Sequence, residues 1–158
     1  MILPDIGSGE RMGRERTLPE LSKMTYSQMR WLAARLGVSV ASSEDMDDDT
    51  AGVYCETTQS ILIDRNMTYR QKRCTLAHEL VHWEHGDQAC TPMLETKAEC
   101  RTRRETAMRL IRPDAYADAE TLCEGHAAGI AEELEVTRQV LDDYRRMLHD
   151  TLRITEIS

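Results

Sequence analysis

Residues 76–87 read LAHELVHWEHGD. His78 and His82 stand four apart, and Glu79 directly follows the first. On a helix, residues four apart lie about 40° apart around the axis, so both imidazoles point the same way and can reach one ion. Glu79 lies about 100° round, near enough to touch a water on that ion without ligating it. This is why the H-E-x-x-H spacing works. Two imidazoles hold Zn²⁺, and the carboxylate beside them accepts a proton from the water. The competing reading is an amphipathic helix with two exposed or hydrogen-bonded histidines. Context argues against it. Leu76, Ala77, Leu80 and Val81 bury the backbone on either side, so a His-Glu-His face in this helix needs a partner, and a metal supplies one.

Clear signals bound this helix. Thr68 followed by Gln71 reads as a capping box starting it near Tyr69, and Gly86 stops it. Upstream, GVYCE and SILID are strand-like runs joined by a short polar turn, which predicts a hairpin. VSVA predicts a further short strand, and SSEDMDDDTAG between them an acidic surface loop. An earlier helix runs through MRWLAARL, with Ser27 as its cap and Gly37 as its stop. Residues 1–22 mix Gly, Pro and charge without periodicity and are expected to form a flexible arm. Its basic cluster, Arg11, Arg14 and Arg16, reads as a solvated tail.

Two histidines leave zinc short of ligands, because a catalytic site takes three protein ligands and an open position. The metzincin pattern fails: His85 and Gln88 occupy the places of its Gly and third His. A carboxylate on the next helix, residues 94–111 bounded by Pro113, is therefore expected. Glu95, Glu99 and Glu105 are the candidates there, with Asp87 an outsider past the helix stop. On a helical wheel Cys100, Ala107, Leu110 and Ile111 define the buried arc. Glu99 borders it, Glu95 stands further off, and Glu105 is on the far side. Glu99 is the best third ligand by this argument.

The 158-residue chain carries 28 Asp and Glu against 20 Lys and Arg, a net charge of −8. Such a surface repels nucleic acid and anionic lipid. Five cysteines, an odd number with no C-x-x-C, argue for reduced thiols rather than a disulfide framework or a Cys-based zinc knuckle. No apolar run approaches a membrane span and the start does not read as a signal peptide, so a cytoplasmic protein is expected. Residues 126–148 look like a helix-turn-helix, with Ala131, Leu134, Val136, Val140 and Leu141 at core places and Glu135 where such turns prefer Gly. Five acids and three arginines give this segment a net charge of −2. That favours packing helices or a protein-binding surface over a DNA-reading role. His126 could steady a tetrahedral intermediate, a role the sequence leaves open.

RCTLAHELVHWEHGD, the following KAE…RRETAMRLI helix and the Pro-Asp after it resemble the ImmA/IrrE family of metallo-endopeptidases, in the short form common in actinobacterial phages and prophages. The resemblance covers about residues 25–148, and LAHELVH is its most specific part. It implies a gluzincin-like site holding one Zn²⁺ per chain on His78, His82 and Glu99, with Glu79 as the catalytic base. Many members carry E-x-E-A where this chain has Cys100, Arg101, Thr102 and Arg103. The resemblance also implies a protein substrate, a helix-turn-helix repressor often encoded nearby.

The expected fold is α+β and mostly helical. A zincin-like core spans residues 23–112, with a small sheet from 38 to 64, and a C-terminal helical subdomain spans residues 113–158. The expected function is zinc-dependent endopeptidase, with no direct contact to nucleic acid or membrane. The alternative is a DNA-binding or partner-binding regulator with a structural or vestigial zinc site. The sequence leaves the oligomeric state open.

Overall fold

The structure, a computed structural model, describes residues 15–88 and 96–157. Among these, six helices accompany one three-stranded sheet, the α+β, mostly helical class expected. The elements are α1 (Tyr26–Arg35), β1 (Ser39–Ser43), β2 (Gly52–Cys55), β3 (Ser60–Asp64), α2 (Tyr69–His85), α3 (Lys97–Leu110), α4 (Pro113–Leu122), α5 (Ala127–Glu133) and α6 (Arg138–Ile157). The sheet order is β1-β3-β2. β2 and β3 form the predicted antiparallel hairpin, with Tyr54 opposite Ile61. β1 runs parallel to β3, Val40 opposite Ile61, a pairing that local pattern does not encode. β2 is thus left at the sheet edge, against α2.

Helix α2 is built as its sequence requires. The Thr68 hydroxyl accepts from the Gln71 N–H, and the Gln71 side chain accepts in turn from the Thr68 N–H. Such a cap is worth about 1 kcal/mol. Leu76, Ala77, Leu80 and Val81 are fully buried. A buried leucine contributes roughly 1.5–3 kcal/mol, so this flank locks the helix rotation that aims the histidines. At the other end Gly86 takes φ 65°, a left-handed conformation that costs glycine little.

The cap of α1 is not Ser27. Thr25 caps it with a full box to Gln28, and Ser27 lies inside the first turn. Both residues are good caps, and the reciprocal glutamine selects Thr25.

The arm read over residues 1–22 is also revised where it is described, from residue 15 onward. Leu18 and Leu21 are buried. Arg109 donates to the Leu18 carbonyl at 2.6 Å, while Glu84 accepts the Leu18 N–H at 2.6 Å. Buried Arg73 donates to the carbonyls of Leu21, Ser22 and Met24. Arg16 binds the Glu56 carboxylate and the Trp83 carbonyl, so it is no solvated tail. The segment has no periodicity because it is irregular backbone held by arginines. Arg11 and Arg14 lie outside the described residues.

The C-terminal helices complete the same core. Leu110 and Ile111 join Ile130, Val136, Leu141 and Tyr144 in one buried cluster, which runs across the boundary drawn at residue 112. α6 packs on α3. The helix-turn-helix-like turn places Glu135 at φ 54°, and the Glu135 carbonyl accepts from Arg73 at 2.8 Å. Cys55 is disulfide-bonded, against the expectation of reduced thiols throughout, whereas Cys74, Cys100 and Cys123 are free. No described helix is long and apolar enough to cross a membrane.

Candidate metal centre

His78 and His82 project from α2 toward α3, where Glu99 meets both. One Glu99 oxygen lies 2.9 Å from His78 Nε2 and the other 3.0 Å from His82 Nε2. Ligand atoms of these three residues all lie within 4.8 Å of one another. Two imidazole nitrogens and one carboxylate oxygen converging from two helices form a donor set that suits a divalent ion and leaves a position open. Thr96 caps α3 by accepting the Glu99 N–H, which puts Glu99 in the first turn.

The other carboxylates sort themselves by position. Glu105 binds His85 at 2.5 Å, away from the two motif histidines. Asp87 sits behind the site rather than in it. Its carboxylate lies 2.6 Å from His82 Nδ1, which frees the opposite ring nitrogen for a ligand role. The left-handed Gly86 turns the chain back so that Asp87 can reach, and the Asp87 N–H donates to the His82 carbonyl at 3.1 Å. Arg101 clamps both Asp87 oxygens at 2.7 and 3.0 Å, and buried Thr102 places its hydroxyl 3.3 Å from His82 Nδ1. Glu95 lies outside the described residues.

Electrostatics separate the roles of the acids. Burial alone would raise Glu99, but the hydrogen bonds from His78 and His82 outweigh it and bring its pKa to about 2. Asp87 is likewise low, because His82 and Arg101 overcome its burial. His82 is raised: burial works against its charged form, and Glu99 and Asp87 more than compensate. Glu79 differs. It is 6% exposed, and desolvation pushes its carboxyl up despite the nearby histidines. A carboxylate with raised basicity beside a His-His-Glu cluster that could hold a metal ion is suited to taking a proton.

The triad and Glu79 open into one cleft of about 680 Å³. Edge strand β2 forms one wall and the first turns of α6 another. His126, at the start of α5, is exposed and does not line this cleft, so the structure gives it no place beside a reacting group. Sequence reasoning missed Arg101 and Thr102. Both fall where E-x-E-A was expected, and that departure was the only signal of them.

No curated protein and no solved structure matches the chain. The family model described as the IrrE N-terminal-like domain, Peptidase_M78, matches residues 33–143, from within α1 to within α6. That stretch spans most of the chain and contains His78, Glu79, His82 and Glu99 together with the cleft around them. The chain therefore belongs to the IrrE N-terminal-like domain family, a family of metallopeptidases.

Proposed function

We propose that the protein is a zinc-dependent endopeptidase that cuts a regulatory protein, such as a helix-turn-helix repressor. The observation that carries this reading is the convergence of His78, His82 and Glu99 beside buried, proton-avid Glu79 in one cleft. Zn²⁺, when bound, polarises a water and the substrate carbonyl, bringing the water's pKa to about 7. His78, His82 and Glu99 would hold it. Asp87, backed by Arg101, keeps His82 in the tautomer that presents Nε2. Glu79 takes the proton of the attacking water as the C–O bond forms, then returns it to the leaving nitrogen as the C–N bond breaks.

Support for a peptide substrate comes from the wall of the cleft. Among the described residues β2 pairs only with β3, so its outer backbone groups can add an extended chain. Support for a DNA-reading role of α5 and α6 is lacking, since residues 126–148 carry a net charge of −2.

The test is incubation of the zinc-loaded protein with candidate helix-turn-helix repressors, with and without chelator, and with Glu79→Gln. Zinc-dependent cleavage that falls at least about 100-fold in Glu79→Gln, with metal retained, is the expected result. Salt-sensitive binding to operator DNA without cleavage would overturn the reading in favour of a regulator.

A further inference from the structure

Peptide hydrolysis needs a donor for the oxygen that gains charge as water attacks, and the sequence offered only His126, which lies outside the cleft. The cleft holds a better candidate. Glu99 and Arg103 stand one turn apart on α3 and both line it. Arg103 donates from Nε and Nη2 to the two oxygens of Asp143 on α6, at 3.1 and 2.7 Å. Asp143 is only 9% exposed. This two-point grip uses one edge of the planar guanidinium. Nη1 has no partner among the described residues, and the side chain remains about one-third open to solvent. The other arginine of the cleft, Arg138, is a poorer candidate. It is exposed and held at one point, Nε to Asp142 at 3.1 Å.

A cation clamped on one edge and free on the other costs no reorganisation when charge develops beside it. We propose that Arg103, oriented by Asp143, donates to the carbonyl oxygen of the scissile peptide as that oxygen becomes an anion. This rests on the peptidase reading above. Water attack forms the C–O bond and shifts the C=O π pair onto the oxygen that Arg103 faces. The water's proton passes to Glu79. Collapse restores the C=O, breaks the C–N bond, and sends the proton from Glu79 to the nitrogen. Arg103 neither gains nor loses a proton. Asp143 acts as a positioning residue through it.

The test uses the full chain loaded with zinc and a phosphinic peptide, whose tetrahedral anionic oxygens mimic the attacked carbonyl, beside the parent peptide amide. Arg103→Met should weaken phosphinic-peptide binding about 100-fold while leaving the parent peptide and the zinc content within about threefold. Its kcat should fall with KM unchanged, and Arg103→Lys should recover part of the loss. Arg103→Met leaves buried Asp143 with only Arg146, 4.0 Å away, so Arg103→Met with Asp143→Asn guards against a folding defect. The double variant should match the single one. Equal phosphinic affinity in native and Arg103→Met proteins would overturn the role of Arg103 alone. Equal weakening of both probes, or a rise in KM with kcat intact, would instead make Arg103 a ground-state contact and also overturn it. A native chain that takes up no zinc and binds neither probe would overturn the peptidase reading and this role together.

Discussion

Asp87→Ala isolates what the residues behind the metal centre contribute. The carboxylate sits 2.6 Å from His82 Nδ1 and touches none of the converging ligand atoms. Its removal deletes no ligand but frees the imidazole to rotate and to place its proton on Nε2. Losing such an outer partner costs about 10- to 100-fold in metal affinity, or about 1.4–2.8 kcal/mol. Thr102 limits the damage, because its hydroxyl lies 3.3 Å from the same nitrogen and can accept the Nδ1–H. Asp87→Ala should therefore fall near the tenfold end, and Asp87→Ala with Thr102→Val near the 100-fold end. Folding should suffer little. The partner lost on the other side, Arg101, is over a third exposed, and such pairs contribute about 0–1 kcal/mol. The assay is competition for Zn²⁺ against a chromophoric chelator, beside urea unfolding of the metal-free protein. An affinity unchanged within twofold in the double variant would refute the claim that Asp87 and Thr102 orient His82. A collapse of folding in Asp87→Ala would show that Asp87 acts mainly as a structural clamp.

Arg73→Met should destabilise the fold by about 2–4 kcal/mol in urea unfolding. It removes the buried guanidinium that donates to the carbonyls of Leu21, Ser22, Met24 and Glu135, and a loss within about 0.5 kcal/mol would contradict that role. Arg16 holds Glu56 below its ordinary pKa by hydrogen bonding, against the effect of burial. A carboxyl depressed in the folded state stabilises above its unfolded pKa of about 4.3, and that contribution is lost as pH falls through the folded value. Arg16→Met should therefore flatten the acid limb of urea midpoints measured between about pH 6 and about pH 3, and an unchanged slope would remove the pair from the account.

The parts of the site legible in the sequence share one property: they are set by spacing along a single helix. The Thr68–Gln71 box, the apolar flank through Leu80 and the stop at Gly86 fix where α2 begins, which face it buries and where it ends. His78, Glu79 and His82 then follow from geometry. Glu99 was reachable by asking which carboxylate of the next helix borders its buried arc. Contacts between segments distant in sequence were not legible. The parallel pairing of β1 with β3, the irregular strap around Leu18 and Leu21, and the grip of Asp143 on Arg103 depend on chain reversals that carry no local period. The contact of Asp87 with His82 was not legible for a related reason. Asp87 reads as a residue past the end of a helix, and only the left-handed turn at Gly86 brings it under His82.

The central claim is one zinc ion per chain on the face formed by α2 and α3, and metal stoichiometry tests it most directly. Native protein and His78→Ala with His82→Ala are each saturated with Zn²⁺, desalted, and analysed for bound metal against protein concentration. The account predicts about one zinc per native chain and none in the double variant, with both proteins folded by circular dichroism. Full zinc occupancy in the double variant, or none in the native chain, would contradict it.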